Sequence, residues 1–337
     1  MLKQVLVGPS GLRSSEIALG SMTFGEPGEW GCDEEEAQAI LVRFAEAGGT
    51  TIDTAPNYAG GESERIIGKF AKPRRGELVL STKYTASSTR HPLAGGNSRR
   101  AMVQSVEESL RRLQTDRIDL FWLHYWDHTT PLDEILRAID DLVSAGKILY
   151  FGLSDIPAWL ASRAITIAEQ QRRAPVVALQ LEYNAASRGV ERDLLPMADT
   201  LGLTTFCWGP LAAGALAGSD DPKRLAGKNL PPDKERVRSA IENIAAEAKT
   251  SPRRLALRWL MQSHKRRVPI IGARTAKQIQ ELLTDAVQEL DEDTVARIDG
   301  LAAAEPLFPS PLIGSSYLRK FALGTPERFA DEFPPRA

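Results

Sequence analysis

Two kinds of apolar stretch alternate along most of the chain. Short stretches of about four to eight mostly apolar residues predict buried strands, and longer stretches with apolar residues three or four positions apart predict amphipathic helices. The predicted strands cover residues 17–20, 50–52, 78–82, 118–123, 148–153, 176–181, 204–207 and 268–271. The helices predicted after them cover residues 33–48, 62–71, 97–113, 132–145, 159–170, 190–201, 253–262 and 276–286. Eight strand–helix units in a row predict a closed parallel (β/α)8 barrel rather than an open doubly wound sheet.

Some segments fall outside this alternation. Residues 3–7 and 12–14 flank a Gly-Pro-Ser-Gly turn, which predicts a β-hairpin before the barrel. Long loops are predicted at 85–96 and 211–235, the second followed by an extra helix at 236–250. Because no Pro-, Gly- or Ser-rich linker divides the chain, we expect residues 1–337 to form one domain, with the barrel at about 15–290 and a C-terminal helix and tail at 291–337.

Composition narrows the class of protein. The 42 basic and 44 acidic side chains give a formal net charge of −2, which argues against binding of nucleic acid or an anionic membrane by bulk charge. No stretch approaches the roughly 18 apolar residues of a membrane span, and the first residues lack the apolar core of a secretory signal. Cys32 and Cys207 are too few for a disulfide framework or a four-cysteine zinc site, so we expect free thiols, no metal and a cytoplasmic protein.

Reactive side chains stand at the ends of successive predicted strands, where active sites of such barrels lie. They are Asp53, Lys83, His124, Ser154, Asp155, Gln180 and Trp208, with Asn184 shortly after Gln180 and Tyr58 five residues after Asp53. Taken alone, each has an ordinary structural interpretation, such as a turn-capping aspartate, a lysine reaching solvent or a hydrogen-bonded core histidine. Their recurrence at one end of one barrel favours a shared active site.

Four of these residues, Asp53, Tyr58, Lys83 and His124, supply the parts needed to protonate a carbonyl oxygen. A tyrosine hydroxyl ordinarily ionises only near pH ~10, and a lysine cation beside it makes the phenolate easier to form. An aspartate would fix the lysine and balance its charge, and a histidine could orient the carbonyl oxygen. Because no amino-acid side chain delivers hydride, this chemistry implies a nicotinamide cofactor.

The phosphates of such a cofactor need a site other than a G-x-G-x-x-G turn, which the chain lacks. Residues 209–218 form a loop of small residues after the seventh predicted strand, where barrels of this kind often bind phosphate. A loop that only packs against its neighbours is the alternative interpretation. After the eighth strand, Gly272 and Arg274 lead into a helix whose N-terminus can attract an anion.

Together the motifs resemble the aldo-keto reductase family, in the family's order over roughly residues 10–300. The resemblance is carried by residues 51–58 (TIDTAPNY), 81–83 (STK), 119–124 (DLFWLH), 152–155 (GLSD), 179–184 (LQLEYN), 208–211 (WGPL) with Gly214 and Leu216, and 270–274 (IIGAR) with Gln278 and Glu281. Length and loops are most similar to the bacterial long-chain branch, which includes aryl-alcohol dehydrogenase-like enzymes, and to the β subunits of potassium channels.

The resemblance implies a barrel that binds NADPH or NADP+ in an extended form and reduces aldehydes or ketones. It implies Tyr58 as the general acid, Lys83 and Asp53 as the residues that tune it, and His124 as the residue that orients the carbonyl. The residues expected to contact the cofactor are Gly20, Ser21, Met22, Asp53, Ser154, Asp155, Gln180, Trp208, Gly209, Pro210, Leu211, Ala212, Gly214, Leu216, Gly272, Arg274, Gln278 and Glu281.

Individual roles within this set also follow from the resemblance. It assigns the carboxamide to Ser154, Gln180 and either Asp155 or Asn184, the nicotinamide ring to Trp208, the pyrophosphate to Leu211, Gly214 and Leu216, the 2′-phosphate to Arg274 and Gln278, and the adenosine to Glu281. An arginine suits a 2′-phosphate, so Arg274 favours NADPH over NADH. The family usually has asparagine where this chain has Leu282, so one hydrogen bond to adenine is expected to be missing.

The substrate pocket is expected among the loops after the strands and the tail. Its expected wall residues are Trp30, Tyr58, His124, Tyr125, Trp126 and His128. These aromatic residues favour a ring-bearing or bulky apolar carbonyl compound, and an aromatic aldehyde, a sugar-derived ketone and a bulky polycyclic ketone all stay open. A homo-oligomer also stays open. The alternative function is an NADPH-binding regulatory subunit that docks on a partner with little or no turnover.

Overall fold

The computed structural model describes residues 1–26, 28, 31–86, 89, 91, 93–218, 230–263, 266–302, 304–313 and 315–323. Parts of the predicted loops 85–96 and 211–235 and the tail after residue 323 lie outside these ranges. The expected pocket residue Trp30 also lies outside the described residues.

The strands form a hairpin and a closed parallel barrel, as the alternation predicts. The hairpin pairs β1 (Gln4–Leu6) with β2 (Arg13–Ser15) in antiparallel fashion. The barrel contains β3 (Ala18–Gly20), β4 (Thr51–Asp53), β5 (Val79–Tyr84), β6 (Ile118–Leu123), β7 (Ile148–Ser154), β8 (Val176–Glu182), β9 (Thr204–Trp208) and β10 (Arg267–Ile271). The order around the barrel follows the chain, and β10 closes it against β3. All carboxyl ends of these strands therefore meet at one end of the barrel.

The helices surround the barrel and bury one apolar stripe each. They are α1 (Glu34–Glu46), α2 (Glu62–Ala71), α3 (Arg99–Leu113), α4 (Leu132–Ser144), α5 (Ala158–Gln170), α6 (Leu194–Thr200), α7 (Pro232–Glu247), α8 (Pro252–Ser263), α9 (Ala276–Ala286) and α10 (Glu292–Asp299), followed by the short α11 (Ser310–Ile313) and α12 (Ser316–Leu323). The predicted start of α1 is confirmed, because the Asp33 carboxylate accepts the Glu36 N–H at 2.9 Å. In α4, the stripe Ile135, Ile139 and Leu142 is buried.

A separate apolar cluster fills the barrel below the end where the carboxyl ends of the strands meet. It includes Leu120, Trp122, Ala178, Phe206, Val268 and Ile270, which are alternate residues of β6, β8, β9 and β10. The Trp122 and Phe206 rings meet edge to face at 5.4 Å. Gly152 makes room for Trp122, since a Cβ there would lie 2.2 Å from the indole. Val7 of the hairpin joins the same cluster, so the hairpin packs against the end of the barrel opposite the predicted site.

The predicted helix over 190–201 is wrong in one respect. The chain instead forms a 3-10 turn (Gly189–Arg192) and then α6, with Asp193 in a non-helical conformation between them. Pro196 explains the break, because in a continuous helix its ring would clash with the carbonyl four residues earlier. As the third residue of α6, it lies in the first turn, where no N–H is needed. The predicted irregular tail also differs, since it contains α11 and α12.

Candidate active site

The Lys83 ammonium group is the centre of the site. Asp53 ends β4 opposite Ser81 of β5, and Lys83 follows Ser81 by two positions, so its side chain points to the same side as that of Ser81. Its Nζ donates to Asp53 Oδ2 at 2.6 Å, to the Thr54 carbonyl at 2.7 Å and to Tyr58 Oη at 3.1 Å. These contacts use all three ammonium hydrogens, so the position of the cation is fully determined.

The Asp53 carboxylate is held on both oxygens. Oδ2 accepts from Lys83, while Oδ1 accepts from Ser81 Oγ at 2.5 Å and from Gln180 Nε2 at 3.1 Å. Burial alone would lower the pKa of Lys83, but the Asp53 charge and Tyr58 outweigh it and raise that pKa above its ordinary value. The lysine is therefore a permanent cation at neutral pH.

Tyr58 reaches the lysine from a tight turn after β4. The turn (Tyr58–Gly61) passes through left-handed backbone at Ala59, Gly60 and Gly61, which allows α2 to begin at once. Because Lys83 donates to Tyr58 Oη, the phenolic oxygen is an acceptor in this contact. Its own hydrogen is free to be given to another acceptor, and Tyr58 lines a cavity at this end of the barrel.

His124 follows β6 and lines the same cavity. Burial, and next the Lys83 cation, lower the pKa of this imidazole to about 4. The ring is therefore neutral at neutral pH and carries one N–H. Nδ1 is buried and has no hydrogen-bond partner within the described part of the chain.

The cavity has a volume of about 800 Å³, within the range of sites that take a large ligand. Most of the expected contact residues lie in its wall. These are Gly20, Ser21, Met22, Asp53, Tyr58, His124, Ser154, Asp155, Gln180, Trp208, Gly209, Pro210, Leu211, Ala212, Gly214, Gly272, Arg274 and Gln278. The barrel thus brings Asp53, Tyr58 and His124 and most of the cofactor candidates to one continuous surface, and Lys83 lies buried directly behind it.

Four polar and aromatic side chains line the cavity close to the catalytic group. The Ser154 hydroxyl is buried and has no partner among the described residues, so it can serve a bound ligand. Asp155 has left-handed backbone (φ 42°), and its Oδ1 accepts from Trp208 Nε1 at 3.1 Å. Its carboxyl is exposed to the cavity, yet the surrounding protein desolvates it enough to raise its pKa to about 6. Gln180 completes this group through its bond to Asp53.

The loop after β9 has the tight backbone expected of a ligand-binding turn. Gly209, Ala212, Ala213 and Gly214 all have positive φ, and for the two alanines this conformation is strained. Strain of this kind collects at binding sites. The neighbouring helix α9 is less open than predicted, since its first N–H groups already donate to Thr275 and Glu36.

Other predicted residues lie away from the cavity wall. Leu216 is buried in the apolar core, and Glu281 forms an ion pair with Arg253 at 2.9 Å. Asn184 is buried and donates to the Gly209 carbonyl at 2.8 Å. The loop residues Tyr125, Trp126 and His128 lie outside the wall, with the Trp126 and His128 rings 4.1 Å apart.

Sequence reasoning missed several residues that line the cavity. The most significant are the cations Arg253 of α8 and Lys234 of α7, with Asn57 and Glu182. Lys234 donates to Ser187 Oγ at 2.7 Å and lies 3.9 Å from the Glu182 carboxylate. Both cations stand in the first turn of a helix, and nothing in the sequence around them marks them as cavity residues.

Within the described residues, no helix is both long and apolar enough to span a bilayer. No group of three or more His, Cys, Asp or Glu side chains in those same ranges could hold a metal ion.

Comparison with known proteins agrees with this geometry. A model of the aldo/keto reductase family matches residues 16–303, so the chain belongs to that family. It is 34% identical to norsolorinic acid reductase of Aspergillus flavus over 91% of this chain and 82% of that protein. It is 35% identical to norsolorinic acid reductase B of Aspergillus parasiticus, over 94% and 87%. An aryl-alcohol dehydrogenase of Pestalotiopsis microspora is 32% identical, over 92% and 84%.

These findings confirm the resemblance on which the sequence interpretation rests. The relatives are named as reductases and a dehydrogenase, which supports an oxidoreductase acting on carbonyl compounds. The Pestalotiopsis relative is itself named an aryl-alcohol dehydrogenase, which supports the likeness to enzymes of that kind.

Proposed function

We propose that the protein is an NADPH-dependent reductase that converts an aldehyde or ketone to the alcohol, with Tyr58 as the general acid. One observation carries the proposal: the buried Lys83 ammonium donates to both Asp53 and Tyr58, and these two residues line the cavity. A buried lysine that only stabilised the fold would have no need of a half-buried tyrosine whose hydroxyl hydrogen is free to leave.

The proton transfer follows from the hydrogen-bond directions. Tyr58 donates its phenolic hydrogen to the carbonyl oxygen of the substrate, and the Lys83 N–H and charge stabilise the phenolate left behind. Asp53 keeps the ammonium in place, and the neutral His124 ring orients the carbonyl oxygen through its N–H. When bound, NADPH supplies a hydride, that is two electrons and one hydrogen nucleus, to the carbonyl carbon.

The donor set of the cavity fits such a cofactor. The unpartnered Ser154 hydroxyl and the Gln180 amide suit a carboxamide, and the exposed face of Trp208 suits a flat ring. Arg274, Arg253 and Lys234 place cationic N–H donors along the wall for phosphates, and Arg253 also pairs with Glu281 and Asp285 while Lys234 lies 3.9 Å from Glu182. Leu282 is buried and apolar at the wall, so adenine would meet a methyl group there.

The name of one relative and the aromatic side chains of the cavity wall suggest the substrate class. The name of the Pestalotiopsis relative refers to aryl alcohols, and the Tyr58 and His124 rings line the cavity where the substrate carbonyl would lie. We therefore propose an aryl aldehyde or ketone as substrate.

The test is a fluorescence titration of the purified protein with NADPH and NADH, followed by absorbance at 340 nm with aryl aldehydes, keto-sugars and bulky ketones. We expect NADPH to bind more tightly and to be consumed with an aryl carbonyl compound. Consumption with keto-sugars alone would overturn the substrate class. Tight binding with no turnover on any class would overturn the reductase and favour the regulatory subunit.

Arg274→Ala tests the choice of NADPH. Removing the guanidinium should weaken NADPH binding about tenfold or more and NADH binding much less, because only NADPH carries the 2′-phosphate. Equal weakening of both would remove that role from Arg274. Lys277→Ala is the matched control, since Lys277 lies three residues further along the chain, is exposed in the first turn of α9 and lies outside the cavity wall.

A further inference from the structure

Asp155 is the acidic residue of the cavity wall without a direct cationic partner among the described residues. Asp53 is neutralised by Lys83 at 2.6 Å, and Glu182 lies 3.9 Å from Lys234. Asp155 instead accepts a neutral N–H from Trp208. The negative charge of the Asp155 carboxylate therefore acts on a ligand bound in the cavity beside it.

The redox-active end of a cofactor must lie in this part of the cavity. Tyr58 and His124 act on the carbonyl oxygen, so the hydride donor has to reach the adjacent carbon. Asp155 lies among the side chains that line the cavity there: it follows Ser154, its N–H donates to the Gln180 carbonyl at 3.2 Å, and its carboxylate holds Trp208.

NADP+ and NADPH differ in charge at the nicotinamide alone, which is cationic when oxidised and neutral when reduced. A carboxylate beside the ring thus interacts more favourably with the oxidised form. We propose, resting on the proposed function, that Asp155 selects the redox state of the bound cofactor, stabilising NADP+ relative to NADPH. Bound NADPH is thereby made a stronger hydride donor, and the site is biased toward carbonyl reduction.

The charge of Asp155 depends on pH. Desolvation, with a smaller contribution from Glu182, raises its pKa to about 6, while Trp208 and Lys83 oppose the rise. The other titratable groups facing this part of the cavity are the Lys83–Asp53 ion pair, Tyr58, His124, which is neutral above about pH 4, and Lys234 beside Glu182. Between pH 5 and 8, Asp155 is therefore the group in this set whose charge changes most.

Asp155→Asn isolates the charge. Asparagine keeps an oxygen to accept the Trp208 N–H, and it tolerates left-handed backbone as well as aspartate does. The measurement is the ratio of the dissociation constants of NADP+ and NADPH at pH 8, read from quenching of tryptophan fluorescence. We expect the variant to raise this ratio about tenfold, the order of magnitude for one unit charge acting on another across a partly hydrated cavity.

Two controls sharpen the result. Glu182→Gln removes the carboxylate that Lys234 already balances, so it should move the ratio much less. At pH 5 Asp155 takes up a proton, so the wild-type ratio of the NADP+ and NADPH dissociation constants should shift toward that of Asp155→Asn. The ratio of the variant should not change with pH. Titration of the 2′-phosphate affects both ligands alike and cancels in the ratio.

The binding measurements distinguish failure of the inference about Asp155 from failure of the proposed function. If both ligands bind but Asp155→Asn changes the ratio by less than about twofold, or Glu182→Gln changes it equally, the inference is overturned and the proposed function stands. If neither ligand binds the wild-type protein, both are overturned.

Discussion

Replacing Lys83 by methionine separates the chemical role of this lysine from its structural role. The substitution keeps the length of the side chain and removes the cation that donates to Asp53, Thr54 and Tyr58. Asp53, whose side chain is 5% exposed, is then left as a buried carboxylate without its cation. Loss of one partner of such a pair costs about 3–5 kcal/mol of folding free energy.

The double variant Asp53→Asn/Lys83→Met removes both charges. Asparagine keeps an oxygen for the Ser81 and Gln180 donors, so most of the stability lost in Lys83→Met should return. Activity should not return, because Tyr58 still lacks the cation that stabilises its phenolate. We expect both variants to lose about 10²–10⁴ in kcat/KM, the usual contribution of a positioned proton donor.

Urea denaturation and NADPH consumption at 340 nm measure the two effects separately. We expect the double variant to be close to wild type in free energy of unfolding and close to Lys83→Met in rate. Recovery of activity together with stability would refute it, since Lys83 would then act only by holding the fold.

Two further predictions concern single groups. His124 stays neutral in the folded protein down to about pH 4. In the unfolded chain it takes up a proton near pH ~6.5. Between these two pH values the unfolded state binds more protons than the folded state, so the free energy of unfolding falls as the pH drops. Denaturant titrations of His124→Gln should show a shallower fall, and an identical slope would contradict the shifted pKa. Glu64→Gln should destabilise the protein by about 3 kcal/mol, because the buried Glu64 pairs with Arg112 at 2.6 Å. The control Glu62→Gln, in an exposed pair with Arg65, should cost less than about 1 kcal/mol, and similar losses in both would contradict the burial argument.

Local signals explain how much of the fold could be predicted. Helices α2 and α9 have the predicted bounds because strong apolar periodicity coincides with clear ends, such as the Thr275 cap of α9. The break at Asp193 was missed because Val190, Leu194, Met197 and Leu201 continue the helical period through it. Pro196 was the contrary signal, and the steric requirement of its ring outweighs the periodicity.

Three of the four catalytic candidates were predictable because they stand at the ends of strands. Asp53, Lys83 and His124 follow directly from the strand pattern, because parallel strands deliver their carboxyl ends to one place. Lys234 and Arg253 reach the cavity from the consecutive helices α7 and α8, and no local pattern specifies that reach. The pairing of Glu281 with Arg253 is likewise a contact between α8 and α9 that only the folded chain brings about.

The most direct test of the account is Tyr58→Phe, which removes one oxygen atom and leaves the ring. We predict that the variant binds NADPH with the wild-type dissociation constant and loses about 10²–10⁴ of the reduction rate on an aryl carbonyl substrate. Unchanged turnover with unchanged binding would contradict the account, since the proton would then reach the carbonyl oxygen from another group.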